Sequence, residues 1–262
     1  MAIHIKSEDE IAAMREAGRI VARAHEAMRE AIRPGVNTAE LDRIAETVIR
    51  DHGATPAFLG YPKHNAPAFP ATITASVNNE LVHGIPDEGR VLQEGDIISL
   101  DTGCHYEGFV GDAAFTWGVG EVSTAVQRLL TVTERALYVA IEASVAGSCV
   151  SDVARATQQF VEAQGYSVAR DYTGHGVGRK MHEEPQVPNW WPRKQNQRMR
   201  FNDAPLRPGM TYAIEPMVIA GRPDTKELSD RWTVVTRDGS LCAHFEHTIA
   251  VTEGEPLILT LL

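Results

Sequence analysis

The sequence predicts an α+β fold of two similar halves, with a mostly antiparallel sheet backed by helices. Three observations carry that expectation. Gly35 to Gly53 and Gly147 to Gly165 span the same 18 residues, each around a helical pattern, 38–50 and 152–163. The β-prone runs 94–101 and 208–215 each place a carboxylate six residues after a glycine, so Asp101 pairs with Glu215. Asp112 and Glu246 each stand eight residues before a glycine, Gly120 and Gly254. Such matches in chain order read as an internal duplication whose carboxylates meet at a pseudo-two-fold axis. The 262 residues are then one domain with halves of roughly 1–120 and 121–262, and no Pro/Ser/Gly-rich linker divides them.

Each element has a local cause. Ser7 and Glu10 form a capping box, and Ile11, Met14, Ile20, Val21, Ala24, Met28 and Ile32 recur at helical spacing until Pro34-Gly35 stops the run. Gly53 closes the second helix. A hairpin follows at Tyr106-Glu107-Gly108. Counting outward from Tyr106-Glu107, Asp101 and Asp112 are cross-strand partners; a turn centred one residue later makes them diagonal neighbours. Like charges directly opposed, with Cβ atoms about 4.5–5.5 Å apart, are destabilising. A divalent cation reverses that sign. The same run is otherwise apolar (Ile97, Ile98, Leu100, Phe109, Val110, Phe115), so the alternative is a protonated structural carboxyl pair. In the second half Ser123 caps a long helix carrying Val126, Leu129, Leu130, Val132, Leu137 and Ile141. Asp152 opens a shorter helix that ends near Gly165, and Arg237-Asp238-Gly239 marks a further turn.

Composition excludes several classes. A net charge of −10 argues against non-specific nucleic-acid binding. Three cysteines without CxxC spacing imply neither a disulfide framework nor a structural zinc site. The first residues lack an apolar signal core and no run reaches transmembrane length, so a cytoplasmic protein without a membrane partner is expected.

Histidine decides which metal chemistry is on offer, because carboxylates alone suit Mg²⁺ whereas an imidazole favours Mn, Fe, Co or Zn. His175 stands between Gly174 and Gly176, which let the backbone approach a crowded site. The run 174–179 fails G-x-G-x-x-G because Arg179 takes the last position, and 182–186 lacks the second histidine of H-E-x-x-H. His83 and His182, each near glycine or proline, read as substrate contacts. Five candidate ligands remain: Asp101, Asp112, His175, Glu215 and Glu246.

The runs 76–86, 174–178, 182–187, 212–217 and 245–248, together with the Asp101 and Asp112 pair, resemble type I methionine aminopeptidase over nearly the whole chain. The resemblance implies the pita-bread fold and a single catalytic domain that removes the initiator methionine when the second residue is small. It implies two divalent cations (Co, Mn, Fe or Zn), with Asp101 on one, Asp112 and Glu246 bridging, and His175 and Glu215 completing the other. Glu215 then acts as proton shuttle, His182 as oxyanion donor and His83 as a contact to the scissile amide nitrogen. Tyr61, Met181 and Trp232 are placed in the methionine pocket. The partners are peptide and nascent-protein N-termini, and a monomer is expected. Departures from the family pattern are the Pro-rich insertion 64–70 and Thr74 and Val82 where cysteines are frequent. The stretch 189–204, with two tryptophans and four basic residues, reads as an exposed loop, or else as a cover for the cleft or a contact to ribosomal RNA. His244 reaches toward the site without an assigned role. The rivals are Xaa-Pro aminopeptidases and prolidases, which usually carry an additional N-terminal domain, and a non-catalytic peptide-binding relative.

Overall fold

The computed structural model describes residues 2–192 and 201–262. The chain opens with helices α1 (Glu8–Ala31) and α2 (Thr38–Asp51), then strands β1 (Thr55–Pro56), β2 (Ile73–Val77), β3 (Glu80–Val82), β4 (Ile97–Tyr106) and β5 (Phe109–Gly118). A second helix pair, α3 (Thr124–Ala143) and α4 (Val150–Ala163), leads into β6 (Ser167–Val168), β7 (Thr173–Gly176) and β8 (Glu183–Pro188). The chain closes with β9 (Thr211–Ile214), β10 (Met217–Ile219), β11 (Thr225–Glu227), β12 (Val234–Thr236), β13 (Cys242–His244), β14 (Glu246–Ala250) and β15 (Leu257–Ile258).

Helix starts follow their caps. Ser7 Oγ accepts from Glu10 N at 3.2 Å while Glu10 returns a carboxylate to Ser7 N at 3.1 Å, the capping box foreseen for α1. The start of α4 differs from expectation. Its N-cap is Cys149, and Asp152 lies a turn in, where its carboxylate accepts from Cys149 N at 2.9 Å. An acid in the first turn serves the helix as well as one at the cap, because the unpaired N–H groups there favour negative charge.

Among the described residues nine strands form one sheet in the order β1-β4-β5-β14-β9-β7-β8, with β2 on β4 and β15 on β14. Every pairing between the named strands is antiparallel. Helix α1 sits close on β5 because position 111 is glycine: a Cβ there would come within 2.5 Å of the Ala17 backbone. One apolar core fills the space beneath α1 and α2 and another that beneath α3 and α4, and Phe115 packs against both.

Backbone bonds recur at corresponding places along the two parts of the chain. Gly35 N donates to Leu92 O at 2.8 Å, and Gly147 N to Leu206 O at 3.0 Å. Val119 N donates to Asp96 O, and Val251 N to Met210 O, both at 2.8 Å, so the ladder puts Glu246 where the first half has Ala114; the sequence match of Gly120 with Gly254, and with it of Asp112 with Glu246, is corrected by two residues. Asn37 and Cys149, the caps of α2 and α4, make equivalent bridges to Val91 and Pro205. What differs is the link between the paired strands. In the first half β4 and β5 are joined by a tight turn, whereas in the second the chain between β9 and β14 makes an excursion through two three-stranded sheets, β13-β10-β6 and β11-β12-β3.

That tight turn corrects one expectation. Its centre is Glu107-Gly108, with φ of 48° and 81°, so Tyr106 pairs with Phe109, Asp101 with Ala114 and Asp112 with Gly103. The two aspartates are diagonal rather than directly opposed. A two-residue hairpin turn of this kind needs positive φ at both central residues, which draws Gly108 into the turn and moves the centre by one. The 189–204 stretch is corrected at its ends: Trp191 and Ala204 are buried in the core under α3 and α4, and Trp191 N donates to the Gln158 side chain at 3.1 Å. Arg193, Lys194, Arg198 and Arg200 lie outside the described residues. Among the described residues, no helix is long and apolar enough to cross a membrane.

Candidate metal centre

Five neighbouring strands each deliver one candidate ligand. In sheet order β4, β5, β14, β9 and β7 they carry Asp101, Asp112, Glu246, Glu215 (the residue after β9) and His175. Register explains the convergence: Asp101 and Glu246 both pair with Ala114, and His247 pairs with Ile214, which brings Glu215 alongside Glu246. Side chains pin the backbone from behind. Thr248 Oγ1 donates to Asp112 O at 2.8 Å, and Asn189 Nδ2 to Glu215 O at 2.9 Å. Gly174 allows β7 to lie against β9, since a Cβ there would stand 2.4 Å from Ala213 O.

His175 Nδ1 lies 3.1 Å from the carbonyl of Gly176, so Nδ1 carries the proton and Nε2 keeps its lone pair. That nitrogen faces Asp112 at 3.6 Å and Glu215 at 3.7 Å. Ligand atoms of Asp112, His175 and Glu246 lie within 4.8 Å of one another. Asp101 Oδ1, Asp112 Oδ1 and Glu246 Oε1 are buried without a hydrogen-bond partner. Burial, reinforced by the neighbouring carboxylates, raises Asp101, Glu215 and Glu246 well above the usual carboxylate range, and burial pushes Asp112 up to about 7. Burial, then the nearby His182, takes His175 down to about 3, which keeps it neutral. Four clustered carboxylates with a neutral imidazole and orphaned oxygens fit divalent cations of the Mn, Fe, Co or Zn type.

A cavity of about 270 Å³ opens onto this cluster. Its lining includes all ten residues the sequence nominates: the five candidate ligands with Tyr61, His83, Met181, His182 and Trp232. The Tyr61 hydroxyl lies 2.7 Å from His182 Nδ1, and the rings of His175 and His182 are 4.1 Å apart. His83 holds a φ of 60° and stands edge-on to Tyr172 and Trp232. Burial, then Lys63, lowers its pKa to about 4, and burial lowers that of His182.

Phe58, Phe69 and Tyr172 complete the apolar wall and are absent from the sequence reading. They sit outside any periodic pattern, so only the neighbouring Tyr61 and the 64–70 insertion hinted at them. That insertion is part of the wall: Trp232 Nε1 donates to Pro67 O at 2.9 Å, and the rings of Phe69 and Trp232 meet edge to face at 5.1 Å. Lys63 stands over Trp232 and pairs with Glu227. Thr74 and Val82 also line the cavity, as does His244.

The model of metallopeptidase family M24 matches residues 12–253. The chain belongs to metallopeptidase family M24. Within M24, methionine aminopeptidase 1 of Bacillus subtilis (strain 168) is 49% identical over 255 residues, covering 97% of this chain and 98% of that protein. The crystal structure of a methionine aminopeptidase from Thermotoga maritima superposes with a TM-score of 0.93 at 42% identity over the whole of both chains. An Xaa-Pro dipeptidase from Bacillus anthracis is more distant, with a TM-score of 0.76 and 26% identity, and the match spans 98% of this chain but 61% of that one. The M24 assignment and these neighbours make the architecture the pita-bread fold, as the sequence predicts.

Proposed function

We propose that this chain is a metal-dependent methionine aminopeptidase that releases the N-terminal methionine of peptides and nascent proteins when the next residue is small. One juxtaposition carries the reading: a metal-ligating cluster forms one end of a cavity whose wall is apolar and aromatic, in a chain similar along its length to methionine aminopeptidases. The prolidase-like alternative has less support, because that resemblance is weaker in both identity and superposition.

Asp101, Asp112, His175, Glu215 and Glu246 would hold two divalent cations (Co, Mn, Fe or Zn), and Asp112 and Glu246 would serve both. Four carboxylate charges then balance the cations. When bound, the cations supply Lewis acidity and make a water acidic enough to attack a carbonyl near neutral pH. Glu215 would take up a proton at a carboxylate oxygen and pass it to the leaving amine. His182 steadies the developing oxyanion. Tyr61 is its neighbour at Nδ1; with the hydroxyl donating there, the imidazole proton sits on Nε2, where a donor is needed. His83, neutral at working pH, contacts the scissile amide nitrogen. Tyr61, Met181 and Trp232, with Phe58 and Phe69, receive the methionine side chain. Residues 1–262 work as one catalytic domain of two halves, as a cytoplasmic monomer, and the basic stretch 193–200 is the place to test for a ribosomal RNA contact.

The test is release of the first residue from short peptides with Mn²⁺ or Co²⁺ added. Met-Ala-Ser and Met-Gly-Ser should be cleaved, Met-Leu-Ser little, and acetylated Met-Ala-Ser not at all. Norleucine should replace methionine at a reduced rate, because an apolar pocket separates side chains differing by a methylene by only about 1–3 kcal/mol. Faster hydrolysis of Ala-Pro-Ala than of Met-Ala-Ser would overturn the reading in favour of an Xaa-Pro peptidase.

A further inference from the structure

Glu215 presents its two oxygens to two different imidazoles. Oε1 lies 3.7 Å from His175 Nε2, and Oε2 lies 3.9 Å from His244 Nε2. Each imidazole also faces a second carboxylate: His175 meets Asp112 at 3.6 Å, and His244 meets Glu246 at 3.7 Å. These separations are too long for hydrogen bonds. They approach the spacing of donors on one cation, since two atoms each about 2.1 Å from an ion stand roughly 3.4 Å apart at the tetrahedral angle and farther apart at wider angles.

His244 is as buried as the ligands themselves, at 2% exposure, and its Nε2 has no hydrogen-bond partner. An unpaired buried donor or acceptor costs stability, so the fold must gain something from holding it there. The backbone does hold it. His244 N donates to Thr116 Oγ1 at 2.9 Å, Thr116 Oγ1 returns a hydrogen bond to His244 O at 2.8 Å, and Ser99 Oγ meets the same hydroxyl at 2.8 Å. The register of β13 on β10 sets His244 opposite Met217, two residues beyond Glu215, while Glu246 follows two residues after His244. The imidazole therefore reaches the space between the two glutamates.

We propose that His244 is a sixth protein ligand of the metal centre, binding through Nε2 the cation that Glu215 and Glu246 reach. The inference rests on the dinuclear reading given above and deepens it. A centre with two imidazoles takes Zn²⁺ and Co²⁺ in preference to Mn²⁺ more strongly than one with His175 alone.

The experiment strips the full-length protein with chelator, reloads it with Zn²⁺, and counts imidazole scatterers per zinc by X-ray absorption. Two histidines over two ions give about one imidazole per zinc in the wild type, and the His244→Gln variant should show about half that. In chelator competition the same variant should lose on the order of tenfold or more in Zn²⁺ affinity and much less in Mn²⁺ affinity. A zinc-loaded wild type with about half an imidazole per ion overturns the proposal, and this arm holds even if the variant fails to fold. A folded His244→Gln protein with an unchanged count overturns it too. Failure of the folded wild type to bind any divalent cation would instead remove the metal-centre reading on which the proposal stands.

Discussion

Tyr61 and His182 are separated by 121 positions in the chain and by 2.7 Å in space. With the Tyr61 hydroxyl donating to Nδ1, the His182 proton sits on Nε2, so the two residues should fail together. His182→Ala should lower kcat by roughly 10²–10³ with metal content at the wild-type level, and Tyr61→Phe should act in the same sense by about tenfold. Loss of metal in His182→Ala, measured by atomic absorption, would make that histidine a ligand instead. Asp112 makes a second test. Its carboxyl is raised to about 7 by burial, so in chelator-treated protein the folded state holds a proton that the unfolded chain releases near pH 4. A raised acid of this kind costs stability as pH rises from the unfolded pKa to the folded one. The stability of Asp112→Asn relative to wild type, read from urea unfolding in chelator, should therefore grow between about pH 4 and pH 7 by on the order of a few kcal/mol. A flat difference over that window would contradict the buried-carboxyl account. The candidate ligands were legible because acids in β-prone, apolar runs have few structural explanations. The pocket aromatics were not, since Phe58, Phe69 and Tyr172 lie outside any repeating pattern and gain meaning only when their segments meet.

At the level of elements, sequence rules located helices better than strand registers. The capping box of α1 and the stop before Pro34 depend on residues three or four apart, so they can be read from a short window. Pairing between β4 and β5 depends on which two residues occupy the turn, and a shift of one there changes Asp101 and Asp112 from opposed to diagonal. Helix α4 shows the same limit on a smaller scale, because Cys149 carries no cap signature and Asp152 carries one while serving from inside the first turn. Strand β7 offers the sharpest test of an element's placement. Gly174→Ala would drive a methyl against Ala213 O and Val187 O, at 2.4 and 3.0 Å, on both sides of the strand. Overpacking of this kind costs about 1–3 kcal/mol and displaces His175 with its strand. The variant should melt below wild type and bind Co²⁺ more weakly. Wild-type melting temperature and metal affinity together would show that β7 can shift without moving the centre.

Across the whole molecule, the duplication we propose accounts for where the site lies. Each half contributes a helix pair over its own core and two carboxylates on paired strands, and joining β5 to β14 places all four acids side by side. Gly35 and Gly147, matched by spacing in the sequence, make the same backbone bond, whereas Gly120 and Gly254 are two residues out of register. The excursion between β9 and β14 has no counterpart in the first half, and it brings Trp232 and His244 to the cavity. No internal comparison within the sequence could have foretold that. The proposed centre of two divalent cations on shared carboxylates is tested most directly by equilibrium dialysis of chelator-stripped protein against Co²⁺ or Mn²⁺. The account predicts saturation near two ions per chain in the wild type and near none in a folded Asp112→Asn variant, because the proposed centre shares Asp112 between both. Saturation at one ion, or undiminished binding by Asp112→Asn, would contradict it.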